Sequence, residues 1–207
     1  MNHFPAIIVV ALVTVTASMF GLVLIPDWQM DDIGVVQATT PDGTNIAYPR
    51  PLDSWREEPG QVLYRGYGCI YCHSQQVRPE GFGADLERGW GMRRSVPRDY
   101  ILQKPPLTGT MRTGPDLANI GARQPSSEWH LLHLYDPTIT SPGSIMPPHR
   151  FLFKTQLSPR APTLESIQLP AEDSDAQPVW LTPSEEALQL VAYLLSLKQE
   201  LSLEEVR

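Results

Sequence analysis

Only two cysteines occur in the 207 residues. That excludes any site built from two cysteine pairs, such as a four-thiolate zinc centre. No Lys or Arg precedes Arg50. The chain therefore lacks the basic n-region of a secretory signal peptide, and the positive-inside rule has nothing to count near its start. No charged side chain occurs between Pro5 and Pro26. Basic charge is scarce overall, with 16 Lys and Arg against 23 Asp and Glu, a net charge of −7 and a pI near 5.2. A chain this acidic does not present a nucleic-acid surface. No internal repeat or low-complexity tract is visible. Proline and glycine, by contrast, are plentiful at 21 and 14, which predicts much irregular backbone.

The uncharged stretch over residues 6–25 has about the ~20 apolar residues that cross a bilayer as a helix. Thr14, Thr16 and Ser18 can bond back to helix carbonyls, so they do not oppose insertion. A cleaved signal peptide would have a shorter apolar core. The reading is a retained single-pass anchor over residues 1–30, with Trp28 as an interfacial aromatic. Some 180 residues remain, enough for a small domain.

The two cysteines stand in Cys69-Ile70-Tyr71-Cys72-His73. C-x-x-C-H is the c-type haem attachment signature. Two thiols at this spacing reach the two vinyl groups of one haem, and the following imidazole faces the iron. The competing readings are a thioredoxin-like dithiol, which needs a βαβ context the flanks lack, a local disulfide, and a zinc site that recruits His130, His133 or His149. Covalent haem attachment takes place outside the cytoplasm. The expected location is therefore the cell inner (cytoplasmic) membrane, with residues 27–207 on the periplasmic side.

The expected fold is mainly α: the membrane helix, then a small class I-like cytochrome c domain with long Pro-rich loops. Residues 31–59 read as an extended linker and 60–207 as the mono-haem domain. A first helix over Gly60 to Tyr67 carries Leu63, Tyr64 and Tyr67 on one face, and Gly60 lets another helix cross closely. A second covers Ser127 to Tyr135 and stops at Asp136-Pro137. Its His130 and His133 read as ordinary helix histidines or as a metal pair. The third, over 183–199, opens on a capping box, Thr182-Pro183-Ser184-Glu185. It continues with an Ala187, Leu190, Val191, Leu194, Leu195 stripe. Residues 154–182 read as an irregular insertion.

Iron needs a second ligand. Met1, Met19 and Met30 belong to the anchor and its flank, leaving Met92, Met111 and Met146. Met146 sits in Ser141-Pro-Gly-Ser-Ile-Met-Pro-Pro148, a loop stiffened by prolines and placed between the second and third helices. It is the first choice, ahead of His149, Met92 and Met111. Met/His ligation raises the haem potential. Thr113-Gly114-Pro115-Asp116-Leu117 reads as a turn. In small c-type cytochromes such a proline carbonyl accepts the proximal imidazole N–H and fixes its orientation.

Read together, Gly68–Pro79 (GCIYCHSQQVRP), Arg112–Leu117 (RTGPDL), Glu128–Pro137 (EWHLLHLYDP) and Pro142–Pro147 (PGSIMP) resemble the mono-haem subunit II of cbb3-type (C-type) haem-copper cytochrome c oxidases. The Ser-Gln-x-x-Arg-Pro extension is far more specific than C-x-x-C-H alone. The resemblance covers the anchor and most of residues 60–153. It departs at Pro148–Phe153, and residues 154–182 find no match.

The resemblance implies one covalent haem c on Cys69 and Cys72, with His73 proximal and Met146 distal. It also implies electron relay in a membrane-bound terminal oxidase. Electrons would come from an external c-type cytochrome donor, with a di-haem cytochrome c subunit as a second candidate partner. They would pass to the catalytic haem-copper subunit, which reduces oxygen and pumps protons. The chain itself would be a carrier without a catalytic centre. Two other functions fit part of the pattern: the cytochrome c subunit of a nitric oxide reductase, and a membrane-anchored haem gas sensor.

Overall fold

The computed structural model describes residues 3–40, 43–170, 177–199 and 201–203. Helix α1, Phe4–Met30, is 27 residues long, apolar enough to cross a membrane, and unburied by the rest of the chain. Its hydrogen bonding widens to a π pattern over Phe20–Leu24. Pro26 explains the position: it brings no N–H, and its ring would strike the carbonyl four residues earlier.

The segment read as an extended linker is partly folded. Strands β1, Val36–Thr39, and β2, Asn45–Tyr48, form an antiparallel hairpin, with Val36 opposite Tyr48. Ala38 is buried against Val96, Leu201 and Leu203. Tyr48 donates to Asp99 at 2.6 Å. These partners lie far away in sequence, and the local signal, Pro41-Asp42-Gly43 between β-prone residues, was not read as a hairpin.

Helix α2, Glu57–Gly66, begins earlier than expected, with Glu57 and Glu58 in its first turn. Acidic side chains there suit the helix dipole. Helix α3, Cys69–Cys72, is a single turn entered through Gly68 at φ 77°. Then come α4, Ile120–Arg123, α5, Ser127–Tyr135, and α6, Pro137–Thr140. Ser126 caps α5 by accepting from the Trp129 amide, and Asp136 caps α6 by accepting from Thr138.

Residues 154–182 are not irregular throughout. Strands β3, Phe153–Leu157, β4, Ile167–Gln168, and β5, Val179–Pro183, form an antiparallel sheet in the order β3-β5-β4. Residues 171–176 lie outside the described residues. The final helix α7, Glu185–Ser196, starts later than expected, because β5 carries Thr182 and Pro183. Ser184 is the cap, accepting from the Ala187 amide.

Helix α7 is the spine of the core. Ala187, Leu190, Val191 and Tyr193 are almost fully buried among Tyr64, Leu107, Leu131, Leu134 and Leu152. It crosses α2 at Gly60, where a Cβ would lie 2.0 Å from the Gln189 carbonyl oxygen. The Tyr64 and Tyr193 rings meet beside the crossing at 5.5 Å. A second close approach occurs at Gly121 of α4, whose Cβ would lie 2.2 Å from the Leu195 oxygen.

Candidate haem site

The crossing of α2 and α7 leaves a cavity of about 500 Å³ at one end, within the usual ~300–1,000 Å³ of cofactor sites. Tyr64 of α2, Tyr67 just after it, Leu190 and Leu194 of α7, and Leu134 of α5 supply apolar walls. Cys69, Cys72 and His73 line one side, Thr113–Pro115 another, and Ser141–Pro147 a third. A larger cleft, about 1160 Å³, lies between the hairpin and α7, but it contains none of the residues nominated from sequence. Volume alone does not mark the site.

His73 is held from behind. Its Nδ1 lies 2.8 Å from the Pro115 carbonyl. A carbonyl only accepts, so Nδ1 carries the proton and Nε2 keeps its lone pair. The turn that presents Pro115 is pinned on both sides of His73. Gly114 N–H donates to the Cys72 carbonyl at 2.9 Å, and Leu117 N–H to the Ser74 carbonyl at 2.8 Å. The imidazole lies flat against Gly114, where a Cβ would fall 2.3 Å from Cε1. Burial pushes the His73 pKa down despite the Pro115 bond and the nearby Asp116 charge. Burial thus disfavours the charged imidazolium, and a metal takes the neutral ring.

Residues 4–168 match the family described as Cytochrome C oxidase, mono-heme subunit/FixO. The chain belongs to that family. No curated protein matches it. A mono-haem subunit carries a haem and works with a catalytic oxidase subunit, and its apolar α1 suits the membrane setting of such a complex. The match spans α1, the cysteine pair and the Met146 loop, continues through residues 154–168 where the sequence motifs found no likeness, and stops before β5 and α7.

The residues around the cavity suit the haem of a mono-haem subunit. Both thiols are free, Cys72 exposed and Cys69 half-buried. Burial pushes the Cys69 thiol up to about 11, which is opposite to the lowered pKa of a redox-active dithiol. Among the described residues, no group of three or more His, Cys, Asp or Glu is placed to hold a metal ion.

Met146 lines the cavity and packs on the core cluster. Its loop is tied back to α5, where His149 N–H donates to the Leu134 carbonyl at 2.7 Å. Met92 and Met111 are 75% and 56% exposed and do not line the cavity. His130 and His133 do line it, but other groups engage them. His130 Nε2 bonds the Gln124 carbonyl at 2.9 Å, and His133 Nδ1 bonds Thr140 at 2.6 Å. His133 also stacks on Trp129 at 4.7 Å, and burial first, then the neighbouring histidines, pushes its pKa down to about 4.

The sequence did not reveal a polar cluster immediately behind the cysteine motif. Asp85 and Asp116 are fully buried, each bonded to side chains or amides of residues 74–78. Arg112 reaches Asp85, Ser74 and Gln76. The motif around Ser74-Gln-Gln-Val-Arg78 was the available signal, and its partners were not.

Proposed function

We propose that Cys69 and Cys72 would hold one haem c covalently, that His73 and Met146 would ligate its iron, and that the chain relays electrons to the catalytic haem-copper subunit of an oxygen-reducing oxidase. The observation that carries this reading is the His73–Pro115 bond. It leaves Nε2 unprotonated, on a ring that lines a cavity which also collects both thiols and the Met146 loop.

A haem bound there supplies reversible one-electron transfer. The protein's part is to bind and orient. Pro115 fixes the imidazole tautomer, as outer partners of metal-bound histidines do. The prolines and the His149–Leu134 bond order the Met146 loop beforehand, which favours a weak thioether ligand. Leu134, Leu190 and Leu194 exclude water and favour the less charged ferrous form. Met/His ligation adds to that high-potential bias, which suits a carrier feeding an oxidase.

The haem domain lies on the periplasmic side of the inner membrane, held by a retained α1. Its donor is an external c-type cytochrome, directly or through a di-haem subunit. Acid–acetone extraction of the purified complex tests the attachment. The haem should stay with this chain, and replacing both Cys69 and Cys72 by Ala should release it. Haem extracted from the unmutated chain would end the reading.

A further inference from the structure

Asp116 immediately follows Pro115, yet its side chain is fully buried. Its Oδ2 accepts from the Ser74 hydroxyl at 2.6 Å and from the Gln76 amide at 2.7 Å. Its Oδ1 accepts from the Ala118 amide at 2.9 Å. All three partners donate, the pattern that satisfies an acceptor-only carboxylate. Arg112 completes the arrangement: its Nε donates to Ser74 Oγ at 2.7 Å, and a terminal nitrogen lies 3.8 Å from Asp116 Oδ2. Opposite, Arg112 pairs with the buried Asp85 at 2.8 Å.

These contacts join the strand of chain just after His73 to the turn that carries Pro115. The backbone bonds Gly114–Cys72 and Leu117–Ser74 bracket the imidazole, and Asp116 locks the bracket from the side away from the cavity. We infer that Asp116, through Ser74 and the Gln76 amide, is a positioning residue for the His73 imidazole and sets the reduction potential of the haem. It acts in two ways. It holds the Pro115 carbonyl at 2.8 Å from Nδ1, and a firm acceptor there makes Nε2 a stronger donor to iron. Its own negative charge, buried behind the ring, favours the ferric state. Both effects lower the potential, so loss of Asp116 should raise it. This inference rests on His73 being the proximal ligand.

Asp116→Asn keeps the shape and removes the charge. One amide oxygen can still serve Ser74 and Gln76, but the NH2 then meets the Ala118 N–H, donor against donor. Ser74→Ala keeps the charge and removes one strut. The test is spectroelectrochemical titration of the purified complex, following the c-type absorption band. Asp116→Asn should shift the ferric-to-ferrous ratio at fixed ambient potential about tenfold towards ferrous, equivalent to about 59 mV upward for one electron. Ser74→Ala should move it less, in the same direction. Glu80→Gln, at an exposed carboxylate, should move nothing.

A merely structural Asp116 would lower the melting temperature and leave the potential in place, and that result overturns the inference. Should Asp116→Asn fail to fold, an unmoved potential in Ser74→Ala overturns it equally. The underlying ligand reading fails separately, if the unmutated chain carries no covalent haem or if His73→Ala retains a native spectrum.

Discussion

Replacing Gly114 by Ala should damage the haem ligand more than the fold. The added methyl would sit 2.3 Å from His73 Cε1 and 2.8 Å from both ring nitrogens. Ordinary contact begins near 3.4 Å, so ring and turn must separate by about 1.1 Å. The ring cannot simply rotate away if Nε2 is tied to iron. The turn must move instead, and it carries Pro115. That shift runs nearly perpendicular to the ring, so it stretches the 2.8 Å Nδ1–O bond only to about 3.0 Å but tips the carbonyl out of the ring plane, which weakens the bond. Overpacking of this kind costs about 1–3 kcal/mol, and the weakened bond up to about 1 kcal/mol more, giving roughly 1–4 kcal/mol in all. Urea unfolding of the purified chain measures the stability, and the absorption spectrum reports the ligand field. The expected result is a lower midpoint together with a raised haem potential, because the imidazole loses its firm acceptor. An Ala variant with unchanged stability and potential would refute the packing of His73 on Gly114.

Gly60→Ala should also destabilise, through a different contact. Its methyl would press on the Gln189 carbonyl at 2.0 Å, and overpacking by ~3 kcal/mol in a chain of this size lowers Tm by roughly 6–12 °C, readable by thermal circular dichroism. Acid stability should depend on Asp99. Burial raises its pKa, but the Arg93 hydrogen bonds and charge outweigh burial and depress it. A depressed folded-state pKa stabilises above the unfolded value of about 3.9 and is lost as pH falls below it. Urea unfolding at pH 3 and pH 6 should therefore show a steep loss, made shallower by Asp99→Asn. Met92→Leu and Met111→Leu should leave the haem spectrum unchanged, since neither side chain lines the cavity.

Signals that act over a few residues were legible in the sequence. Helix α5 runs from Ser127 to Tyr135 as read, because Ser126 caps it and Pro137 ends it. The close crossing at Gly60 was legible because only glycine fits a backbone approach of this kind. Features set by distant partners were not. The β1–β2 hairpin has a local Asp42-Gly43 signal, but its seat on the domain, Ala38 against Val96 and Leu201, comes from distant residues. Residues 154–157 become a strand because β5 pairs with them, and the same pairing draws Thr182 out of its capping role. The site divides along the same line. Cys69, Cys72, His73, Pro115 and Met146 could be nominated because haem ligation accepts few residue types, and the fold brings them to one cavity. Asp85 carried no signal at all, and the motif that holds Arg112 and Asp116 did not show that they are buried together, since burial with a partner is a tertiary property.

The ferric absorption spectrum of the purified Met146→Leu protein tests the central claim most directly. Leucine keeps the volume and removes the sulfur. If Met146 is the distal ligand opposite His73, the long-wavelength band of sulfur-ligated ferric haem should vanish, while the covalent haem remains on Cys69 and Cys72. Retention of that band in Met146→Leu would place another sulfur on the iron and contradict the account.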